Sequence, residues 1–253
     1  MNLKQCLLTK NDCYKAGKKI TPKGVMVHST GANNPNLKRY VQPDDGILGK
    51  NANGNDWNRS GLDVCVHAFI GKGADGKIYS YQTLPWDYKG WHCGASGNNT
   101  HISFEICEDD LTDKNYFNSV YTEAVELTAY LCKEYDLDPM ADGVVICHSE
   151  GAKRGIASNH ADVMHWFPKY GKDMDDFRKD VKAKMAEAAE TTVPEVPETK
   201  GPYDTIDQVP EWGKEAVQKL IDKGLLKGTD EGLDLSYDML RILVINDRAG
   251  LYD

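Results

Sequence analysis

Three of the chain's seven histidines fall in VVICHSEGAKRGIASNHADVMHW, residues 144–166: His148, His160 and His165. A fourth, His28, ends the valine-rich run GVMVH (24–28), and an acid, Glu105, sits inside HISFEIC (101–107). Neutral imidazole is a common nitrogen ligand of zinc, and a catalytic zinc site takes three protein ligands plus one open position. His28 and His148, each closing an apolar run, are candidate ligands. The third is expected from the loop after His148. His160 is the expected choice; Asp162 is the alternative, because carboxylate also ligates zinc. His165, beside Trp166 and Phe167, reads as a packing residue. Strand-end histidines are also often satisfied core residues, and there is no HExxH, so the metal and core readings stand side by side.

Such groups need a rigid base. GVMVH (24–28), VCVHAFI (64–70), residues 77–82 after an Asp75-Gly76 turn, HISFEIC (101–107) and GVVICH (143–148) read as strands, with the pair around Gly76 as a hairpin. Val120, Tyr121, Ala124, Val125, Thr128, Leu131 and Cys132 recur at helical spacing and predict an amphipathic helix over 119–135. The expected fold class is α/β: a mixed central β-sheet flanked by helices, plus a small α-helical C-terminal module. The carboxyl ends of strands in such sheets are where sites assemble, which places His28 and His148 suitably. The polar tract 34–58 reads as a long loop, functional or mobile.

A catalytic domain over 1–185 is expected to run into a linker over 186–202, AEAAETTVPEVPETKGP, whose prolines favour an extended chain. A small helical domain follows over 203–253. Pro210 opens its first helix and Gly224 ends it; Ser236 caps the second and Gly250 closes it.

Composition narrows the partners. The 253 residues carry a net charge of -9, which argues against nonspecific binding to nucleic acid or anionic membrane. No run approaches 18 apolar residues, so no membrane span is expected. Seven cysteines, an odd number without a CxxC pair, suggest synthesis in a reducing cytosol. The N-terminus lacks an apolar signal core. A protein made in the cytoplasm without a signal peptide would reach an extracellular substrate only after release, by a holin-type route or lysis.

The ordered set GVMVHSTG (24–31), VHAFIGKGADGKIYSYQ (66–82), HISFEIC (101–107) and VVICHSEG (144–151) resembles the type 2 N-acetylmuramoyl-L-alanine amidases, a group related to peptidoglycan recognition proteins and phage lysozyme-amidases. The likeness spans about residues 10 to 180. It implies a zinc hydrolase acting on bacterial peptidoglycan, at the amide between N-acetylmuramic acid and the L-alanine of the stem peptide. Carried over, His28 and His148 are ligands, and Glu105 is the catalytic acid beside the metal's water. The short Cys-Pro-Gly or Asp-Pro-Gly stretch that commonly bears the third ligand is absent; His160 inherits that role. A lysine often precedes that ligand, and Lys153 or Arg154 could replace it. The family often has a histidine near the cleft at the position of His67, so a substrate-side role stands beside a core role there. Trp91 and His92 are candidates for the substrate groove, against the alternative of packing on the body. His101 reads as a surface residue at a strand start. Asn58 and Arg59 could meet substrate or simply tie a loop.

The tail VPEWGKEAVQKLIDKGLLKGTDEG resembles one degenerate S-layer homology repeat over 203–253, which implies attachment to a wall polymer. From Gly201 on there are 11 acidic and 6 basic residues, so an anionic wall cannot be held by bulk charge and a specific pocket is required. The alternative is a packing or dimerisation module, giving a homodimer with Trp212 and Leu240 in the shared interface. Three functions compete for the whole chain: a phage or prophage endolysin with amidase activity, a non-catalytic peptidoglycan-binding protein, and a zinc hydrolase of another amide.

Overall fold

The computed structural model describes residues 1–191 and 203–252. Two compact units divide the chain, Met1–Ala189 and Glu190–Asp253. Most of the expected linker, residues 192–202, lies outside the described residues.

The first unit runs β1 (Leu3–Gln5), α1 (Asp12–Ala16), β2 (Gly24–Ser29), β3 (Ala68–Lys72), β4 (Ile78–Gln82), β5 (His101–Ile106), α2 (Lys114–Glu134), β6 (Val145–Cys147), α3 (His148–Lys153) and α4 (Met174–Thr191). Its six strands form one sheet in the order β1-β4-β3-β5-β2-β6. Only the β3–β4 hairpin is antiparallel; the other pairings are parallel. The fold is therefore mixed α/β, as the alternation of apolar runs and helical periodicity predicts. Parallel strands buried on both faces explain why β2 is buried along its whole length.

One face is covered by α2. Asp113 caps this helix by accepting the N–H groups of Asn115 and Tyr116, so it starts five residues before the predicted helix. Its buried side chains Phe117, Val120, Ala124 and Leu131 share a core with Val25, Phe104, Trp166, Phe167 and Phe177. The Val, Leu and Phe side chains among them each contribute roughly 1.5–3 kcal/mol when fully buried.

The other face is covered by the long tract 34–58. Leu37, Tyr40, Val41 and Leu48 are buried against Phe69 and Tyr81, and Tyr40 stacks on Phe69 with centroids 5.0 Å apart. Asp45 fastens the tract by accepting the Tyr81 hydroxyl at 2.6 Å and the N–H groups of Ile47 and Leu48. The tract is a half of the core rather than a polar excursion.

Two strands differ from expectation. The run 64–70 enters the sheet only from Ala68, because Cys65 pairs its backbone with Trp91 instead. The run 143–148 is a strand only over Val145–Cys147, and His148 opens α3. All seven cysteines are unpaired. No helix among the described residues is long and apolar enough to cross a membrane.

The second unit is built on α5 (Glu211–Asp222) and α6 (Tyr237–Arg248). Ser236 caps α6 through the Met239 N–H, and Gly224 follows α5 in the left-handed conformation at φ 69°. Val217, Leu220, Leu235, Leu240 and Val244 form its core. Gly213 lets Leu240 seat closely: a Cβ there would lie 2.8 Å from Leu240 Cδ1. Leu240 is thus buried inside its own unit and cannot serve a shared interface, whereas Trp212 is 43% exposed.

Candidate metal centre

The parallel register sets His28 on β2 directly beside Glu105 on β5. His148 follows β6, which pairs with β2 on its other side. Three neighbouring strands thus deliver three polar side chains to one end of a sheet. The segment after α3 folds back over them and brings Asp162.

His28, His148 and Asp162 each offer a ligand atom, and these atoms all lie within 4.8 Å of one another. Asp162 Oδ2 is 2.8 Å from His148 Nδ1 and 3.4 Å from His28 Nδ1; the two Nδ1 atoms are 3.1 Å apart. The far nitrogens are held by protein. His28 Nε2 lies 3.0 Å from His92 Nδ1, and His148 Nε2 lies 3.1 Å from Ser158 Oγ. Such outer contacts fix ring orientation in metal sites.

Electrostatics agree with a ligand set. Burial keeps the His28 imidazole below its ordinary value, hence neutral near pH 7. Burial also pushes the Asp162 carboxyl up, but its contacts with His148 and His28 outweigh that and hold it low and ionised. Glu105 is pushed well above the usual carboxylate range, first by burial and then by the charges of Asp162 and Glu108. Glu105 Oε2 is buried without a hydrogen-bond partner, and the buried Asp162 Oδ2 meets only the two imidazole nitrogens. A carboxylate oxygen converging with two imidazole nitrogens fits a bound cation, and a His-His-carboxylate set with an open side suits zinc. Asp162 also has φ 43°, a left-handed conformation that non-glycine residues seldom adopt and that concentrates at functional sites.

The site opens into a cavity of about 440 Å³ lined by His28, His92, Glu105, His148, His160, Asp162 and His165, among others. His160 is at its exposed edge, with Nδ1 3.1 Å from Ser158 Oγ and its ring 4.7 Å from that of His148. The converging set contains Asp162 in the third position, not His160. His92 lines the cavity and also braces His28.

His67 does not line the cavity. It is fully buried, with Nε2 2.8 Å from the Tyr88 carbonyl and Nδ1 accepting the Ser103 N–H at 3.0 Å. Trp91 packs in a separate small cluster with Cys13, Cys65 and Leu84. His101 is 5% exposed and ties β5 to the Gly143 carbonyl at 3.0 Å, so it is an internal strut rather than a surface residue. Arg154 is paired with Asp142, and Asn58 bonds Lys10 and Gln42. His165 is not a packing residue: Val163, Trp166 and Phe167 fill the core, while His165 faces the cavity and pairs with Glu108. Glu108 and Ser158 escape sequence reasoning, since neither stands in a recognisable pattern.

The comparisons with known proteins agree with this architecture. The fold is similar to that of the Staphylococcus aureus hydrolase AmiA, solved in complex with its ligand, at TM-score 0.52 and 20% identity over 76% of this chain and 86% of that one. A mutant of PlyL superposes at TM-score 0.51 and 19% identity, over 72% of this chain and 99% of that one. At these identities the likeness is one of fold. No curated protein matches the sequence. Residues 18–165 match the family described as N-acetylmuramoyl-L-alanine amidase, Amidase_2. That match covers more than half of the chain and spans every residue of the converging set, and the chain belongs to the N-acetylmuramoyl-L-alanine amidase family.

Proposed function

We propose that the chain is a zinc-dependent peptidoglycan hydrolase that cleaves the amide between N-acetylmuramic acid and L-alanine, acting as a phage or prophage endolysin. The observation that carries this reading is the convergence of His28, His148 and Asp162 at one end of the sheet, inside the family match. Zinc held by these three side chains would supply a Lewis acid for the carbonyl and a water acidified toward neutral pH. His28 serves in its neutral form, oriented by His92. Glu105 is the acid–base residue. Its raised proton affinity and its place in the cavity lining suit it to take a proton and return it to the leaving amine. Asp162, rather than the expected His160, is the third ligand in this reading. The non-catalytic alternative has no comparable support, because a complete ligand set and a buried acid beside it are not needed for binding alone.

The second unit supports a wall-attachment role. A cavity of about 340 Å³ is lined by Trp212, Arg241, Val244, Ile245 and Arg248. Neither arginine has a carboxylate partner among the described residues, although acids outnumber bases in this unit. An aromatic face with two guanidinium groups suits a specific anionic wall polymer, as bulk charge does not.

Digestion of purified peptidoglycan followed by mass spectrometry of the muropeptides tests the main proposal. New free L-alanine amino ends, abolished by a chelator and restored by zinc, are expected. New reducing sugar ends only, or no cleavage with retained binding, would overturn it.

A further inference from the structure

Asp162 stands on a turn between Ala161 and His165, not on a strand, so something must set its distance from His28. Part of the answer is apolar: Val163, Trp166 and Phe167 are buried just beyond it. The other part is one acid. Glu108, past the end of β5, is 3% exposed. His165 Nε2 lies 3.0 Å from its Oε1 and 3.1 Å from its Oε2. Oε1 also accepts the Gly31 N–H at 3.1 Å. The Glu108 N–H donates to Thr30 Oγ1 at 3.1 Å, and the Glu108 carbonyl accepts the Asn34 N–H at 2.8 Å.

One buried residue thereby joins three segments: the end of β5, the loop leaving β2 two residues after His28, and the turn that carries Asp162. Burying a carboxylate is costly unless it is paired and hydrogen-bonded, and apolar packing would join these segments at lower cost. What a polar tie adds is direction. It holds the turn at one distance and one angle, where an apolar contact lets it slide.

We propose that the Glu108–His165 pair is a positioning device that sets the Asp162 arm of the metal centre against the His28 strand. This rests on the reading of His28, His148 and Asp162 as a metal site. Both residues act through Asp162, not on the substrate. The left-handed conformation of Asp162 agrees, since such a conformation persists only where the surroundings over-determine it.

The test measures zinc affinity of the full chain by competition with a chromophoric chelator, together with the absorption spectrum of the cobalt-substituted protein. Two controls check the metal reading first: the parent should bind one zinc and Asp162→Ala should lose it. If Asp162→Ala keeps zinc, the metal reading fails and this proposal with it. Given that reading, His165→Ala should weaken zinc binding about 10-fold or more, the usual scale for an outer contact, and should alter the cobalt spectrum. His165→Gln, whose amide still donates to the carboxylate, should recover most of that loss. Adding Glu108→Gln to His165→Ala should cost little more, as a shared contact requires. His165 is a third exposed, so its replacement leaves the core intact and decides the matter even if Glu108 variants fold poorly. Zinc affinity within twofold of the parent and an unchanged cobalt spectrum in His165→Ala would overturn the proposal.

Discussion

The candidate site has two halves built in different ways. His28 and Glu105 stand on adjacent strands in direct ladder register, and Glu105 pairs on its other side with Phe69. Asp162, His160 and His165 stand on a turn, placed by side-chain contacts with Ser158, Glu108 and the aromatic core. The strand half has one possible arrangement once the sheet forms. The turn half depends on which side chains win the contacts, and there Asp162 takes the inner position while His160 stays at the edge.

Removing the strand half should have the largest effect. His28→Ala and His148→Ala should each bring metal content and amidase activity to background, with the fold retained by circular dichroism. Zinc stoichiometry near one in either variant would show that the strand histidines are not ligands.

Next in size is Glu105. Glu105→Gln should keep the metal and lose at least about 100-fold in rate, the usual scale of acid–base catalysis. Steady-state turnover on soluble muropeptide, beside metal analysis of the same sample, separates the two effects. Near-parent turnover would take Glu105 out of the chemistry.

How much of this was legible follows the same division. GVMVH and HISFEIC announce strands through their valine, isoleucine and phenylalanine content, and with them His28 and Glu105. The strand β1 is only Leu-Lys-Gln at the sheet edge, too short and polar for any pattern to mark. Val27-His28 and Val66-His67 look alike in sequence, yet one imidazole opens into the cavity and the other is locked between Tyr88 and Ser103. The difference lies in which backbone faces each ring, which no periodicity encodes. On the turn, His160 and Asp162 are two residues apart and both are plausible ligands. In the fold, the left-handed bend at Asp162, the seat made by Val163 and Trp166 and the Glu108–His165 pair accompany the inward place of Asp162.

His67 sharpens the contrast as a strand-side histidine that supports stability rather than chemistry. Burial lowers it from 6.5 to about 4. Its folded-state value lies below its unfolded value, so its contribution is fully present above about pH 6.5 and is lost as pH falls toward 4. The size is about 3 kcal/mol at 1.36 kcal/mol per unit. Urea unfolding from pH 7 to 4 should show the parent losing more stability than His67→Gln, which starts lower but varies less with pH. Equal pH dependence would place His67 outside this account.

The smallest expected effect on catalysis comes from the second unit. Truncation after Thr199 should leave zinc content and cleavage of fragmented peptidoglycan within about twofold of the parent, and weaken sedimentation with whole walls. Arg241→Ala with Arg248→Ala in the full chain should reproduce that weakening. Undiminished wall association in both would remove the wall-polymer role from this unit.

The identity of the three ligands is the point on which the chemistry turns. A crystal of the zinc-loaded protein, with anomalous data on both sides of the zinc edge, addresses it directly. One peak is expected at about 2.0–2.2 Å from His28 Nδ1, His148 Nδ1 and an Asp162 carboxylate oxygen. A peak bound by His160 in place of Asp162, or no peak beside His28 in protein that cleaves peptidoglycan, would contradict it.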